Sequence, residues 1–270
     1  MLSLGPLSPK KYCTFSCPFC YVGGDFLTYA SMTTDDILGW VEQVQDPFDI
    51  VYVSCDTDSF AAPRQAAAID LLERLAALGV DLLFTTRALL SDETIDRLAA
   101  VASRLRDIDR MLIACISLAQ LTVPHLEPKP IPPPDSRIAQ LARLRAVGLR
   151  TVLALRPFLP NVPLTDYVEL VNRSVSGAEV VLGGVWYYDA AGTLEGAVLR
   201  DADQRRELPH VSRAMDFDTN TATWNVFEGK QVEEAVQRAC EMHGLPMFMR
   251  SAPAVQWLRD SHRGDNRGSG

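Results

Sequence analysis

From Ile50 onward, short apolar runs alternate with longer stretches in which apolar residues recur at helical spacing. Ile50-Val51-Tyr52-Val53-Ser54-Cys55 is β-branched and aromatic, too short for a helix, and ends in the polar cluster Asp56-Thr57-Asp58-Ser59, so it predicts a strand. Residues 64–78 carry Ile69, Leu71, Leu72, Leu75 and Leu78 on one helical face and stop at Gly79, and Val80 to Thr85 predicts the next strand. The rhythm then predicts helix 91–104, strand Met111 to Ser117, helix 135–147 ending at Gly148, strand Thr151 to Leu155, helix 164–174 and strand Glu179 to Tyr187. Upstream, Thr33-Thr34-Asp35-Asp36 reads as the cap and acidic first turn of a helix through Val44, after the flexible pair Gly23-Gly24. With a short first strand before Cys13 there are six βα-like units.

Near-continuously apolar strands alternating with helices mean a parallel sheet covered on its outer face. The fold class is therefore α/β. Six units are too few to close a barrel of eight, which leaves a partial (β/α)6 TIM-like barrel or an open flavodoxin-like sheet. In either, chemistry sits at the strand ends. Two stretches interrupt the pattern. Thr122 to Asp135, with prolines at 124, 128, 130, 132, 133 and 134, excludes regular helix or central strand and follows the functional end of the fourth strand, where it is placed to cover a site. From Ala190 the alternation fades into an acidic, turn-rich stretch, then a helix through about 230–243, a short strand Pro246 to Met249 and a few helical residues near Trp257. The expected organisation is a core over 1–189, a C-terminal extension over 190–260 packing on it, and a disordered tail over 261–270.

At 270 residues one principal domain can bury a large core. No apolar run reaches the ~18 residues that spanning a bilayer needs. Residues 1–11 place their lysines after the short apolar stretch and lack a small-residue cleavage site, so no signal peptide is expected and the location is read as cytoplasmic. A net charge of -8 argues against a broad phosphate-binding surface, which makes nucleic acid an unlikely partner. Six cysteines, three of them bunched near one end, do not look like a disulfide framework.

The bunched three carry the most specific signal. Cys13-Thr14-Phe15-Ser16-Cys17-Pro18-Phe19-Cys20-Tyr21 has the spacing Cys-x-x-x-Cys-x-x-Cys. Three thiolates on one loop can converge on a metal centre, and three is one fewer than the four that usually close a structural zinc or iron-sulfur site. Spacing alone leaves open a zinc loop completed by a distant Cys or His. The four histidines show no metal-ligand spacing, His125 reads as an exposed loop residue, and Cys115 and Cys240 read as packing residues. Trp186-Tyr187-Tyr188-Asp189 either stacks on a planar ligand or ends the core.

The motif resembles that of the radical S-adenosylmethionine (SAM) enzymes, and several strand ends are similar to those of the spore photoproduct lyase and DNA-repair-photolyase-like branch. The similarity covers roughly residues 10–160: Cys55-Asp56-Thr57-Asp58, Phe84-Thr85-Thr86-Arg87, Leu126-Glu127-Pro128 before a helix, and Leu155-Arg156-Pro157-Phe158-Leu159-Pro160. The resemblance implies the partial barrel of that family, a [4Fe-4S] cluster on Cys13, Cys17 and Cys20, and SAM on the fourth iron. It implies reductive cleavage of SAM to a 5'-deoxyadenosyl radical that takes hydrogen from a substrate, with electrons from a low-potential donor such as flavodoxin or ferredoxin. Residue by residue, it puts Phe19 against the adenine, Thr57 and Ser117 on polar parts of SAM, with Cys115 an alternative to Ser117, and Arg87 near the carboxylate or ribose. Arg156 would lie at the fifth strand end, as a further SAM-binding residue. Both arginines could equally be held in strand-end salt bridges. Cys55 admits three readings: a hydrogen-atom donor, a cluster-proximal residue without a chemical role, or a small buried hydrophobe. The acidic charge favours a small-molecule or peptide substrate over the alternative, a damaged nucleobase in DNA.

Overall fold

The structure is a computed structural model describing residues 1–4, 13–21, 33–53, 57–200, 208–209, 211–214 and 223–267, with side chains as far as His262. Gly23, Gly24, Cys55, Asp56 and residues 268–270 lie outside the described residues, so the readings made on them are not addressed by it. The described strands are β1 Leu2–Leu4, β2 Ile50–Val53, β3 Asp81–Thr86, β4 Leu112–Ser117, β5 Arg150–Leu155, β6 Val180–Gly183, β7 Trp186–Asp189, β8 Val211–Ala214, β9 Thr223–Phe227 and β10 Met247–Phe248. The α-helices are α1 Thr34–Gln43, α2 Gln65–Leu75, α3 Asp92–Arg106, α4 Pro134–Ala146, α5 Leu164–Ser174, α6 Thr193–Val198, α7 Lys230–Met242 and α8 Ser251–Arg267. No helix among the described residues is long and apolar enough to cross a membrane.

Seven strands form one sheet in the order β1-β2-β3-β4-β5-β6-β10, each pair parallel. The order never reverses. Each right-handed crossover therefore falls on the same side of the sheet, whereas a doubly wound sheet has a switch point where the helices change sides. Alternate residues record this. Val51, Val53, Leu82, Phe84, Leu112, Ala114, Ile116, Leu153, Leu155 and Val181 pack into one large core with the crossover helices. Ile50, Leu83, Ile113, Cys115, Val152, Ala154, Val180 and Leu182 form a second, smaller cluster on the opposite face. This is the wall of a partial (β/α)6 barrel, and the open-sheet arrangement is excluded.

The smaller cluster is completed by α8, through Ala254, Val255 and Leu258. The helix runs along the inside of the barrel wall. At its start Ser251 meets Arg156 at the strand ends, and about two turns further on Arg259 binds Asp49 and Asp81 at the strand starts. This helix is longer than the few helical residues expected near Trp257 and reaches Arg267, inside the stretch expected to be a tail. A narrow bore needs only a narrow apolar stripe, which is why the pattern under-read it.

The expected strand from Glu179 to Tyr187 is in fact two. β6 stops at Gly183, and after Gly184 the chain enters β7 of a second, antiparallel sheet of order β7-β9-β8. A Cβ on Gly183 would lie 2.6 Å from Phe158 Cζ, and one on Gly184 would lie 2.9 Å from Arg156 Cγ. The chain turns where only glycine fits. Cys240, on α7, is fully buried in the large core, as a packing residue should be.

Candidate functional site

The cysteine turn follows β1 and is held by two tryptophans. The Trp186 indole Nε1 donates to the Phe19 carbonyl at 3.1 Å. Tyr188 stacks on Trp186 at 4.7 Å, which fills the space behind the indole. Tyr21 meets Trp224 edge-on at 6.3 Å. The Trp186–Asp189 run thus ends the core and anchors the turn, a role that sequence reading left undecided. Phe19 is buried, while Cys13, Cys17 and Cys20 are half-buried on one short turn, with the Cys20 amide donating to the Cys17 carbonyl at 3.1 Å.

Arg87, at the end of β3, is the positive charge of this site. Its guanidinium lies over the Phe19 ring at 5.4 Å. Burial pushes the Cys17 thiol up to about 12, and Arg87 pulls in the opposite direction. The arginine is held at both ends. Its main-chain amide donates to Asp58 Oδ2 at 2.6 Å, its Nε to Glu127 Oε1 at 3.3 Å, and its Nη2 to the Arg156 carbonyl at 3.0 Å. Asp58, beyond β2, also accepts from the Thr86 hydroxyl at 2.8 Å and the Phe60 amide at 3.0 Å. Burial nevertheless leaves its pKa above the ordinary carboxylate value, because the loss of water outweighs these donors.

The remaining predicted residues fall at neighbouring strand ends. Thr57 is half-buried in the turn after β2. Ser117 is buried at the end of β4, on the same sheet face as Cys115, and its carbonyl accepts from Arg137. Cys115 belongs to the inner cluster, where burial pushes its thiol up to about 12. Arg156 ends β5 and turns toward the C-terminal segment: Nε donates to the Gly183 carbonyl at 2.7 Å, Nη2 to the Met249 carbonyl at 2.8 Å and Nη1 to Ser251 Oγ at 3.1 Å. Cys55 lies outside the described residues. His125, expected on an exposed loop, is half-buried on a short 3-10 turn, Pro124–Leu126, with its Nε2 shielded from solvent.

That turn delivers Glu127 into the interior, where the fully buried Arg137 of α4 binds both of its carboxylate oxygens. Sequence reading gave no individual role in the site to Asp58, Glu127 or Arg137. The available signal was Leu126-Glu127-Pro128 ten residues before an arginine, but nothing local says that two such charges are buried together.

Among the described residues no three His, Cys, Asp or Glu side chains are gathered into a preformed single-ion site. The donor set on the turn is nonetheless suited to an iron-sulfur cluster: three thiols close in sequence, soft ligands once deprotonated, beside a guanidinium that offsets part of their charge.

A family model described as the radical SAM superfamily matches residues 7–173. An uncharacterised protein, ORF301, of Acidianus two-tailed virus is 24% identical over 166 residues, covering 55% of this chain and 54% of that protein. The match thus spans about half the length of this curated relative. A spore photoproduct lyase variant with bound AdoMet and dinucleoside spore photoproduct is similar in structure at TM-score 0.64 and 14% identity, covering 92% of this chain and 76% of that one. SuiB of Streptococcus suis, bound to S-adenosylmethionine, is similar at TM-score 0.61 and 15% identity, covering 92% of this chain and 50% of that one. At such identities the likeness to these structures is one of fold.

Proposed function

Since the chain belongs to the radical SAM superfamily, we propose that it applies that family's radical chemistry to a small molecule or peptide held at the barrel mouth. The family uses a [4Fe-4S] cluster and SAM, whose reductive cleavage supplies a 5'-deoxyadenosyl radical able to take hydrogen from a substrate. The observation that carries the reading is the cysteine turn itself, anchored by Trp186 and faced by Arg87.

In this reading Cys13, Cys17 and Cys20 hold three irons as thiolates. Phe19 offers an apolar surface to the adenine, and Arg87 offers its unspent N–H donors to the SAM carboxylate. Thr57 and Ser117 bound the same space from β2 and β4. Trp186 and Tyr188 keep the turn dry and fixed, which limits loss of the radical to solvent. Enzymes of the family need an electron donor, for which a low-potential flavodoxin or ferredoxin is the candidate class. The peptide arm of the substrate class is supported by SuiB, a structural neighbour bound to the precursor peptide SuiA. A net charge of -8 counts against a DNA track.

The test is anaerobic reconstitution with iron and sulfide, followed by SAM and a low-potential reductant. We expect one cluster per chain and formation of 5'-deoxyadenosine, both lost in the Cys13→Ala/Cys17→Ala/Cys20→Ala variant. Stoichiometric zinc without iron in anaerobically purified protein, or cleavage that survives the triple substitution, would overturn the assignment.

A further inference from the structure

Behind Arg87 one carboxylate serves two arginines. The Glu127 side chain is 1% exposed and that of Arg137 0%. Arg137 Nη1 and Nη2 take one Glu127 oxygen each, and Nη1 also donates to the Ser117 carbonyl, which ties α4 to the end of β4. Gln120 Nε2 approaches Oε2 at 3.3 Å, and Oε1 is shared with Arg87 Nε. Every oxygen lone pair facing the interior is in use.

Stability alone does not account for this arrangement. Two guanidinium groups share this one carboxylate, with Asp58 the next acid beside Arg87, and Arg137 Nε is buried with no hydrogen-bond partner. Burying ions costs more than their attraction commonly returns, so an apolar pair of like volume would hold the same space at least as well. What the pair supplies is geometry. A bidentate arginine fixes the plane of the carboxylate, and the carboxylate fixes the direction of Arg87. Of the five N–H donors on the Arg87 guanidinium, Glu127 and the Arg156 carbonyl take one each, which leaves three directed elsewhere in a site that holds Phe19 and Cys17.

We propose that Glu127, clamped by Arg137, is a positioning residue: it aims the Arg87 guanidinium across the cysteine turn and so sets how tightly the carboxylate of SAM is held, without touching SAM itself. This rests on the reading of the turn as the cluster and SAM site.

Glu127→Gln alone leaves Arg137 buried without its ion partner and risks unfolding the chain, so the paired variant Glu127→Gln/Arg137→Met is the primary test. SAM is titrated into anaerobically reconstituted wild type, the paired variant, Arg87→Met and the triple combination, with melting temperature measured on each. The paired variant should melt near the wild type and bind SAM about tenfold more weakly. In the Arg87→Met background the same pair of changes should add nothing, because the carboxylate acts only through Arg87. Arg137→Lys, which keeps the charge and loses the fork, should weaken SAM binding in the same direction. Wild-type affinity in the paired variant, an equal further loss in the Arg87→Met background, or failure of the paired variant to fold would each overturn the proposal. Failure of the wild type to bind a cluster or SAM would instead overturn the reading of the site.

Discussion

The ends of β3 and β5 each carry one arginine to the mouth of the barrel, on either side of β4. Arg87 gives two side-chain N–H groups to protein acceptors and lies over Phe19, beside the cysteine turn. Arg156 gives Nε to Gly183 at the end of β6, and Nη1 and Nη2 to Ser251 and Met249 on the C-terminal segment. Residue type and strand-end position are the same, but the donors are spent differently. One arginine keeps its hydrogen-bonding capacity for a ligand. The other joins the end of the sixth strand to the start of α8, and its main-chain carbonyl braces the first.

The sharpest way to break this contrast is Arg156→Ala. It strands the carbonyls of buried Gly183 and half-buried Met249 and should lower unfolding stability by about 3 kcal/mol, read from denaturant midpoints of the cluster-free protein. A loss confined to SAM affinity, with stability unchanged, would make the two arginines alike after all. Gly184→Ala comes next, because its Cβ would press on the Arg156 side chain at Cγ and Nε, both 2.9 Å away. We expect about 2 kcal/mol of destabilisation, and less than that in an Arg156→Ala background, where the obstruction is gone. Full additivity in that double variant would separate the glycine from the arginine. The smallest effect is expected from Ser251→Ala, which removes one of the three acceptors at 3.1 Å and should cost about 1 kcal/mol while leaving SAM affinity at its wild-type value.

The cysteine turn and the βα alternation were legible because both are local patterns. Helix α3, for instance, begins where Ser91 accepts from the Thr94 amide, and α2 gives way before Gly79 at φ 66°. The break at Gly183-Gly184 was hidden by continuous apolar residues on both sides, since a strand that changes sheets keeps its hydrophobicity. The inner helix was hidden for the opposite reason. Only Ala254, Val255 and Leu258 of α8 join the inner cluster, so its sequence looks polar. The different uses of Arg87 and Arg156 could not be read at all, because their partners lie 27 to 95 residues away. Asp58, Glu127 and Arg137 pose the same difficulty, as burial of a charge depends on long-range neighbours.

The inner helix also imposes an order on biosynthesis. Ile50 and Leu83 leave the ribosome early, yet the residues that cover them are Ala254, Val255 and Leu258. At the usual ~5–20 residues per second, the nascent barrel wall waits roughly 10 to 40 s with one apolar face bare. During that interval the outer core can assemble, because each crossover helix emerges next to its own strand. The bore cannot, and the nascent chain is in this period a natural client for chaperones. Arg259, which reaches back 210 residues to Asp49, is among the last contacts to form.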